Sequence, residues 1–146
     1  ELAIMMGVPE PKVAILSAVE TVNEKIRSTL DAAALCKMAD RGQIKGGLLD
    51  GPLAFDNAVS LVAAKTKGIR SAVAGQADIL VVPDLESGNM VAKQLEYLAD
   101  ALMAGVVLGA RVPIVLTSRA DTAETRTASC AIAQLMAHKR RQGVRL

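Results

Sequence analysis

Aromatic residues are almost absent from this 146-residue sequence, and its charge is nearly balanced. It contains no tryptophan, one phenylalanine (Phe55) and one tyrosine (Tyr97), so very few side chains could stack on a nucleic-acid base. The formal net charge of +2 gives no general attraction to a polyanion. We therefore expect no nucleic-acid partner.

Histidine and cysteine are too few for the common metal sites and catalytic triads. The single histidine, His138, lies in the segment HKRR at the end of a predicted helix, where cations interact favourably with exposed carbonyls. Cys36 and Cys130 are far apart and form no CxxC pair. We therefore expect no metal site and no histidine-based nucleophilic mechanism, and we interpret the cysteines as reduced thiols of a cytoplasmic protein.

Long hydrophobic runs are also missing. The longest strongly apolar run, residues 101–110, is about half of the ~20 residues that a membrane-spanning helix requires, and Arg111 ends it. We therefore expect no membrane segment. The chain begins with Glu1 rather than methionine and enters an apolar, helix-like segment without a capping residue, so we interpret it as a fragment of a longer polypeptide.

Short apolar runs alternate with helix-like segments along the chain, and this alternation is typical of an α/β domain whose sheet is covered on both faces. We predict strands at residues 13–19, 44–49 and 79–82, followed by a hairpin or bend formed by residues 105–110 and 113–116. Predicted helices span residues 28–42, 53–67, 90–103 and 122–141.

The spacing of apolar residues also predicts which helix faces point inward. The first predicted helix begins with a capping box formed by Ser28 and Asp31. The residues expected to face the core are Leu30, Ala34 and Met38 in that helix, Val91, Leu95, Leu98 and Leu102 in the third, and Ile132, Leu135 and Met136 in the last.

Three segments that follow predicted strands contain small, polar and turn-forming residues. They are DGPLAFDN (residues 50–57), PDLESGN (83–89) and TSRADTAE (117–124). Ligands of α/β sheets usually bind beyond the carboxyl ends of the strands, so these segments are the candidate site.

Together with PKVAILSAVE, DAAALCKMADRGQIKGG, VAGQADILVVPDLESGNM and VVLGARVPIVLTSRAD, these segments make nearly the whole chain resemble the phosphate acetyltransferase and phosphate butyryltransferase family. The resemblance implies transfer of an acetyl or butyryl group between coenzyme A and inorganic phosphate. Acyl-CoA, acyl phosphate and phosphate would then be the binding partners, with coenzyme A as a substrate and no tightly bound cofactor.

The resemblance also implies an architecture. It is a three-layer αβα sandwich like that of the isocitrate and isopropylmalate dehydrogenases, in which two domains flank a cleft. Residues 1–117 would form the second α/β domain, and residues 118–146 the C-terminal helix that returns to the missing first domain. We expect the isolated chain to be inactive and the complete enzyme to be a homodimer.

The resemblance places Ser118 and Arg119 at the family's serine-arginine pair, which is associated with the acyl phosphate. A guanidinium binds phosphate through two parallel hydrogen bonds and stays charged, and a hydroxyl can donate to the same group. The alternative is an ordinary surface turn. Glu124 is nearest to the acidic residue that some members use as a base for the thiol, although the adjacent position is Thr125.

The remaining candidates have simpler structural explanations that stay open. Asp121 is a candidate substrate contact, but Asp121 and Glu124 also have the spacing of a capping box. Tight turns would explain the other candidate substrate contacts as well; these are Asp50, Gly51 and Pro52 in the first segment, and Asp84 and Asn89 in the second.

Two other functions compete with acyl transfer. One is a nicotinamide-dependent dehydrogenase of the same fold, although no GxGxxG motif follows the first predicted strand. The other is a non-catalytic domain that self-associates through an exposed apolar face.

Overall fold

The computed structural model describes residues 1–143, which contain six helices and five strands. The helices are α1 (Leu2–Met5), α2 (Arg27–Asp40), α3 (Phe55–Val59), α4 (Leu61–Thr66), α5 (Leu85–Leu98) and α6 (Ala123–Arg141). The strands are β1 (Lys12–Leu16), β2 (Leu48–Leu53), β3 (Ile79–Val81), β4 (Val106–Val107) and β5 (Ile114–Val115). The predicted α/β class is confirmed.

Three strands form a parallel sheet in the order β2-β1-β3. In the register, Val13 pairs with Leu49 on one side and with Ile79 on the other. Parallel neighbours need a crossover between them, and α2 joins β1 to β2 while α3 and α4 lie between β2 and β3. The central strand is the most buried, with Ala14, Ile15 and Leu16 all inside.

The core combines large residues from the strands with alanines from the helices. Leu53, at the end of β2, is 2% exposed, and it packs in one cluster with Leu16 and Val73. Ala58 of α3 and Ala64 of α4 belong to the same cluster. Alanine is small enough to bring these short helices close to the sheet.

The second strand begins later than predicted, and the prediction of a tight turn at residues 50–52 is wrong. Asp50, Gly51 and Pro52 all belong to β2, and the Gly51–Pro52 peptide is cis. A side chain at position 51 would place Cβ 2.7 Å from the carbonyl oxygen of Ile15 and 2.8 Å from its Cβ. The glycine is therefore explained by close packing against β1 rather than by a turn.

The prediction for the inward face of α2 is also wrong. Thr29 and Ala32 are fully buried, whereas Leu30 and Met38 are each more than a third exposed and Ala34 is exposed. The helix packs against β2, where the Cβ of Ala32 lies 3.3 Å from the position a Cβ on residue 51 would take. A stripe of larger side chains would not fit at that separation.

The predicted capping box at the start of α2 is absent as well. Ile26 occupies the N-cap position and makes no side-chain cap. Ser28 Oγ instead hydrogen-bonds Ser17 Oγ at 2.7 Å, and Asp31 pairs with Arg27 at 2.8 Å.

The predicted helix over residues 53–67 is split in two at Ser60. That residue is extended, with φ −121° and ψ 114°, and its hydroxyl caps α4 by accepting from the amide of Ala63 at 3.3 Å. The predicted stop at Gly68 is confirmed, because this glycine adopts a left-handed conformation with φ +67°.

The segment over residues 84–89 is the start of a helix rather than a turn. The Asp84 carboxylate accepts from the Ser87 amide at 2.7 Å, and α5 begins at Leu85, five residues before the predicted start. Its predicted inward face is not buried within residues 1–143, since Leu98 is 84% exposed and Leu102 lies beyond the helix end.

The last two predictions are confirmed. Strands β4 and β5 form an antiparallel hairpin, and α6 begins one residue after the predicted start and ends at the predicted residue. Met136 is fully buried, with Ile132 and Leu135 half-buried beside it.

Candidate functional site

A cleft of about 430 Å³ opens where α5, the hairpin and the start of α6 converge. It lies beyond the carboxyl end of β5, which belongs to the antiparallel hairpin and not to the parallel sheet. Its polar lining includes Asn89, Lys93, Glu96, Ser118, Asp121 and Thr125.

Ser118 reaches this cleft through a tight turn over residues 118–121. Its backbone amide donates to Oδ2 of Asp121 at 2.6 Å, and the amide of Asp121 donates back to the Ser118 carbonyl at 3.2 Å. The amide of Ala120 also approaches the Ser118 hydroxyl oxygen at 3.4 Å. The Asp121 side chain is only 8% exposed. The turn is thus closed by two hydrogen bonds between its first and last residues.

Lys93 brings a cation into the cleft between two carboxylates. Its Nζ lies 2.6 Å from Oε2 of Glu96 and 3.9 Å from Oδ1 of Asp121. The Tyr97 ring centroid is 5.6 Å from the same nitrogen, within the range of a cation–π contact. The hydrogen bond to Glu96 is the main cause that raises the pKa of Lys93 above its ordinary value.

The buried hydroxyl of Ser129 on α6 bonds the residue that precedes β4 of the hairpin. Ser129 Oγ accepts from the amide of Gly105 at 3.0 Å and donates to the carbonyl of Thr125 at 2.7 Å. Thr122 is the N-cap of α6, and its hydroxyl accepts from the Thr125 amide at 3.1 Å. The two Ser129 bonds hold Gly105 and Thr125, both on the lining of the cleft, together, whereas the Thr122 bond only caps the helix.

The cap at Thr122 corrects the predicted capping box. Asp121 precedes the cap and bonds the Ser118 amide rather than the first amides of α6. Glu124 lies in the first turn, where its charge interacts favourably with the helix dipole, and its side chain is exposed. It does not line the cleft.

The other predicted catalytic residue also lies outside the cleft lining. Arg119 directly follows Ser118 and is exposed, but it is not among the residues that line the cleft. Within residues 1–143 it forms no ion pair.

The predicted substrate contacts separate into two groups. Asn89 and Asp121 line the cleft, whereas Asp84 and the segment 50–52 do not. Asp84 is the N-cap of α5, and the hydrogen bond from the Ser87 amide holds the pKa of its carboxyl below the usual range. Asp50 accepts from the amide of Gly51 at 2.8 Å within β2.

Sequence reasoning missed Lys93 and Glu96. Their K-x-x-E spacing places both side chains on one face of a helix, which indicates that they pair with each other but not that they reach the cleft. The predicted start of α5 at Met90 put Lys93 in the first turn and Glu96 in the second, and both lie outside the three loop segments that defined the candidate site.

A second polar group lies at the carboxyl ends of β1 and β2; it joins Asp56 and Asn57, from the predicted segment 50–57, to Glu20 and Lys67, which sequence reasoning missed. Asn57 is fully buried and its Nδ2 donates to Glu20 at 3.3 Å, while Lys67 bridges Glu20 at 3.3 Å and Asp56 at 3.1 Å. The hydrogen bond between Lys67 and Asp56 raises the pKa of Lys67 and lowers that of Asp56. Asn57 Oδ1 has no hydrogen-bond partner among the described residues.

A depression of about 540 Å³ lies at the end of α2, lined by Lys37, Met38 and Arg41 among others. It is formed by one helix and the turn after it, whereas the cleft joins three elements, so we place the candidate site in the cleft. Across residues 1–143 no group of three or more His, Cys, Asp and Glu side chains is arranged to hold a metal ion. No helix in that range has the length and apolar character to cross a membrane.

Comparison with known proteins gives consistent relatives. A family model described as "Phosphate acetyl/butaryl transferase" matches residues 1–134. The phosphate acetyltransferase of Rhizobium meliloti is 67% identical over 141 residues, which are 97% of this chain and 45% of that protein. The phosphate butyryltransferase of Clostridium acetobutylicum is 51% identical over 137 residues, which are 94% of this chain and 46% of that protein. The chain therefore spans about half the length of the curated relatives it matches.

Solved structures agree with the fold. A branched-chain phosphotransacylase from Enterococcus faecalis V583 superposes with a TM-score of 0.83 at 36% identity, covering 94% of this chain and 49% of that one. A phosphotransacetylase from Streptococcus pyogenes gives a TM-score of 0.73 at 30% identity, covering 93% and 42%. These relatives support a parallel-sheet α/β fold and do not support the dehydrogenase alternative.

Proposed function

Because the chain belongs to the phosphate acetyl/butyryl transferase family, we propose that its protein transfers an acetyl or butyryl group between coenzyme A and inorganic phosphate. The observation that carries this proposal is the position of Ser118 in the cleft beyond β5, with Arg119 beside it. Coenzyme A acts as a substrate, and the reaction needs no tightly bound cofactor.

The chemistry demands the handling of anions above all. The thiolate of coenzyme A attacks the acyl carbonyl, a C–S bond forms, and the C–O bond to phosphate breaks as the phosphate leaves. A thiol with a pKa near 8.5 is about 1.5 units above neutrality, so forming the thiolate costs about 2 kcal/mol. One well-placed oxyanion donor contributes about 3–4 kcal/mol. Groups that bind phosphate or the oxyanion are therefore the most important.

Arg119 is the proposed phosphate ligand. The exposed guanidinium can present two parallel donors to a phosphate at the rim of the cleft. Lys93 is less suitable, because Glu96 and Asp121 already surround its ammonium with two carboxylates. Ser118 lines the cleft and is the proposed donor to the same phosphate.

The remaining residues take supporting roles in this proposal. Glu124, exposed on the first turn of α6, is the candidate base for the thiol. Asn89 and Asp121 line the cleft, whereas Asp84 and the segment Asp50–Gly51–Pro52 do not and are proposed as substrate contacts on the family resemblance alone.

The complete protein would provide the other half of the site. In this proposal residues 1–117 form the second domain of a three-layer αβα enzyme like the isocitrate and isopropylmalate dehydrogenases. Residues 118–146 would form the C-terminal segment that returns to the first domain. The full-length enzyme would act as a homodimer in the cytoplasm, and the 146-residue chain alone would be nearly inactive because half of the cleft is supplied elsewhere.

The test is phosphate-dependent release of thiol from acetyl-CoA and butyryl-CoA by the full-length protein. Arg119→Ala should lower kcat/KM for phosphate in this assay on the order of 10²–10³-fold, as loss of an oxyanion donor does. Arg119→Lys is the matched control, since it keeps the charge but not the paired donors. Its kcat/KM should lie between those of the wild type and Arg119→Ala. Near-normal kinetics for Arg119→Ala would overturn this assignment.

Self-association is a second candidate, favoured by the apolar surface that α5 leaves exposed. Leu98 and Tyr97 are both largely exposed there, and patches of this kind often mark interfaces. Light scattering of the purified chain tests it, and a strictly monomeric species at all concentrations would exclude it.

A further inference from the structure

The tight turn over residues 118–121 depends on one side chain. Oδ2 of Asp121 accepts the Ser118 amide at 2.6 Å, and the Asp121 amide closes the turn by donating to the Ser118 carbonyl at 3.2 Å. Ser118 and Arg119 are thus presented by a loop whose two ends are tied together. Removing the carboxylate would leave the backbone return bond as the only direct bond between these two residues.

We propose that Asp121 is a positioning residue: its carboxylate fixes the turn that presents Ser118 and Arg119 to the acyl phosphate, and Lys93 holds that carboxylate in place. The proposal rests on the proposed function, because it concerns the same cleft. It assigns Asp121 a role through its neighbours rather than a contact with the substrate.

The surroundings of the carboxylate favour this role over direct binding. The Asp121 side chain is 8% exposed, so little of it is available to a ligand. One oxygen is occupied by the Ser118 amide and the other faces Lys93 at 3.9 Å. A carboxylate would also repel a phosphate dianion, so direct contact with that substrate would weaken binding.

Lys93 is itself anchored from the other side. Its ammonium contacts Glu96 at 2.6 Å and lies above the Tyr97 ring, so two groups of α5 orient it toward Asp121. The chain of contacts therefore runs from α5 through Lys93 and Asp121 to the Ser118 amide. It connects one wall of the cleft to the loop on the opposite side.

The experiment compares two substitutions in the full-length enzyme by steady-state kinetics and amide hydrogen exchange. Asp121→Ala removes the acceptor, so kcat/KM should fall on the order of 10²-fold, as small misplacements of catalytic groups do. The Ser118 amide should exchange faster. Asp121→Asn keeps an acceptor oxygen for that amide, so it should restore most of the activity and the protection.

The comparison distinguishes positioning from catalysis. A general base needs the carboxylate itself, so Asp121→Asn would then be as inactive as Asp121→Ala, and the acidic limb of the pH profile would disappear in both. Either result would overturn the positioning role. An unchanged pH profile in Asp121→Ala is the outcome we expect.

Thr122→Ala is the matched control for instability. It removes the cap of α6 at the neighbouring residue and should lower Tm, but it leaves the bond to the Ser118 amide intact, so kinetics should not change. If Thr122→Ala reduces kcat/KM as much as Asp121→Ala, the effect is general loosening and the proposal fails.

Lys93→Met tests the support for the carboxylate. Combined with Asp121→Ala it should add little to the loss, because both act through one chain of contacts. Additive losses would overturn the part assigned to Lys93. If wild-type enzyme releases no thiol with phosphate, the transferase function itself fails, whereas an active wild type with normal Asp121→Ala kinetics rejects only the positioning role.

Discussion

The guanidinium of Arg140, near the end of α6, binds the carboxylate of Glu1 at the start of the chain. Its Nε donates to Oε1 of Glu1 at 2.9 Å and Nη2 donates to Oε2 at 3.4 Å. Nη1 donates to the carbonyl of Ala110, in the hairpin loop, at 3.0 Å. One side chain therefore ties the last helix to two distant segments.

Substituting Arg140 should destabilise the full-length protein. Hydrogen bonds to charged groups contribute about 1.5–3 kcal/mol to the free energy of unfolding, and solvent screening places this pair at the low end because Arg140 is a quarter and Glu1 a third exposed. We expect the free energy of unfolding of Arg140→Ala, measured by urea denaturation, to be lower than that of the wild type by an amount in this range. Arg140→Lys keeps the charge but cannot bind both partners, so its free energy of unfolding should fall by only part of that amount. An unchanged denaturation midpoint for Arg140→Ala would contradict the prediction.

The same pair predicts a pH dependence. The hydrogen bond from Arg140 lowers the pKa of Glu1 below its ordinary value. The stabilisation is therefore present above the unfolded-state pKa and is lost as the pH falls through the folded-state pKa. In Arg140→Ala this acid-dependent loss should be smaller, which denaturation at a series of acidic pH values can measure.

The two cysteines should differ in reactivity. Burial raises the pKa of the Cys36 thiol to about 11, so at pH 8 roughly one thiol in a thousand is ionised, whereas Cys130 is exposed. Iodoacetamide should label Cys130 first in the native protein, and peptide mass spectrometry can follow both sites. Cys130→Ser should then show almost no native labelling until urea unfolds it; rapid labelling of Cys36 would refute the burial argument.

The cap at Asp84 should control the first turn of α5. Asp84→Ala should speed exchange of the Ser87 amide, while Asp84→Asn should preserve protection because the amide oxygen can still accept. The folded-state pKa of Asp84 is lowered, so the cap is fully present above the unfolded-state pKa, near 3.9, and is lost as the pH falls through the folded-state value. An amide NMR titration of Ser87 that shows no change in acid would disprove this.

Two glycines should respond differently to alanine. At Gly51 a Cβ meets the backbone oxygen of Ile15 at 2.7 Å, so Gly51→Ala should cost about 1–3 kcal/mol through overpacking. At Gly88 the Cβ meets only a methyl of Val82 at 2.8 Å, and the helix gains about 1 kcal/mol from alanine. Gly88→Ala should therefore be near neutral in thermal unfolding. Equal losses at both positions would refute the steric explanation.

The kinds of elements could be predicted where sequence pattern and local chemistry agree. The strand at Ile79–Val81 and the helix Ala123–Arg141 have clear ends, a proline after the first and a capping threonine before the second. The predictions fail where tertiary packing rather than local sequence determines the backbone conformation. Asp50–Gly51–Pro52 has turn chemistry, yet contact with Ile15 places it in a strand.

Helix faces are hard to predict for a related reason. Helix α2 has apolar residues around most of its circumference, so periodicity alone cannot identify the side that meets β2. The small Ala32 is inside and Leu30 is outside because the helix approaches the sheet closely. Size matters here more than hydrophobicity.

The segment TSRADTAE was chosen because its polar residues follow a predicted strand, and Ser118 and Asp121 of that segment line the cleft. Their roles stay predictions. Lys93 and Glu96 could not be assigned to the cleft, because the contact with Asp121 joins residues 28 positions apart and depends on how α5 lies against the hairpin. No local pattern carries that information.

Helix α5 supplies Lys93 and Glu96 to the cleft although none of its residues is buried within residues 1–143. Its position relative to the rest of the described chain depends on a few contacts, among them the packing of Gly88 on Val82 and the approach of Lys93 to Asp121. Any molecule that covers Leu98 and prefers one position of this helix also selects one separation of Lys93 from Asp121. Assembly and ligand affinity would then be linked, and each would change the equilibrium constant of the other by the same factor.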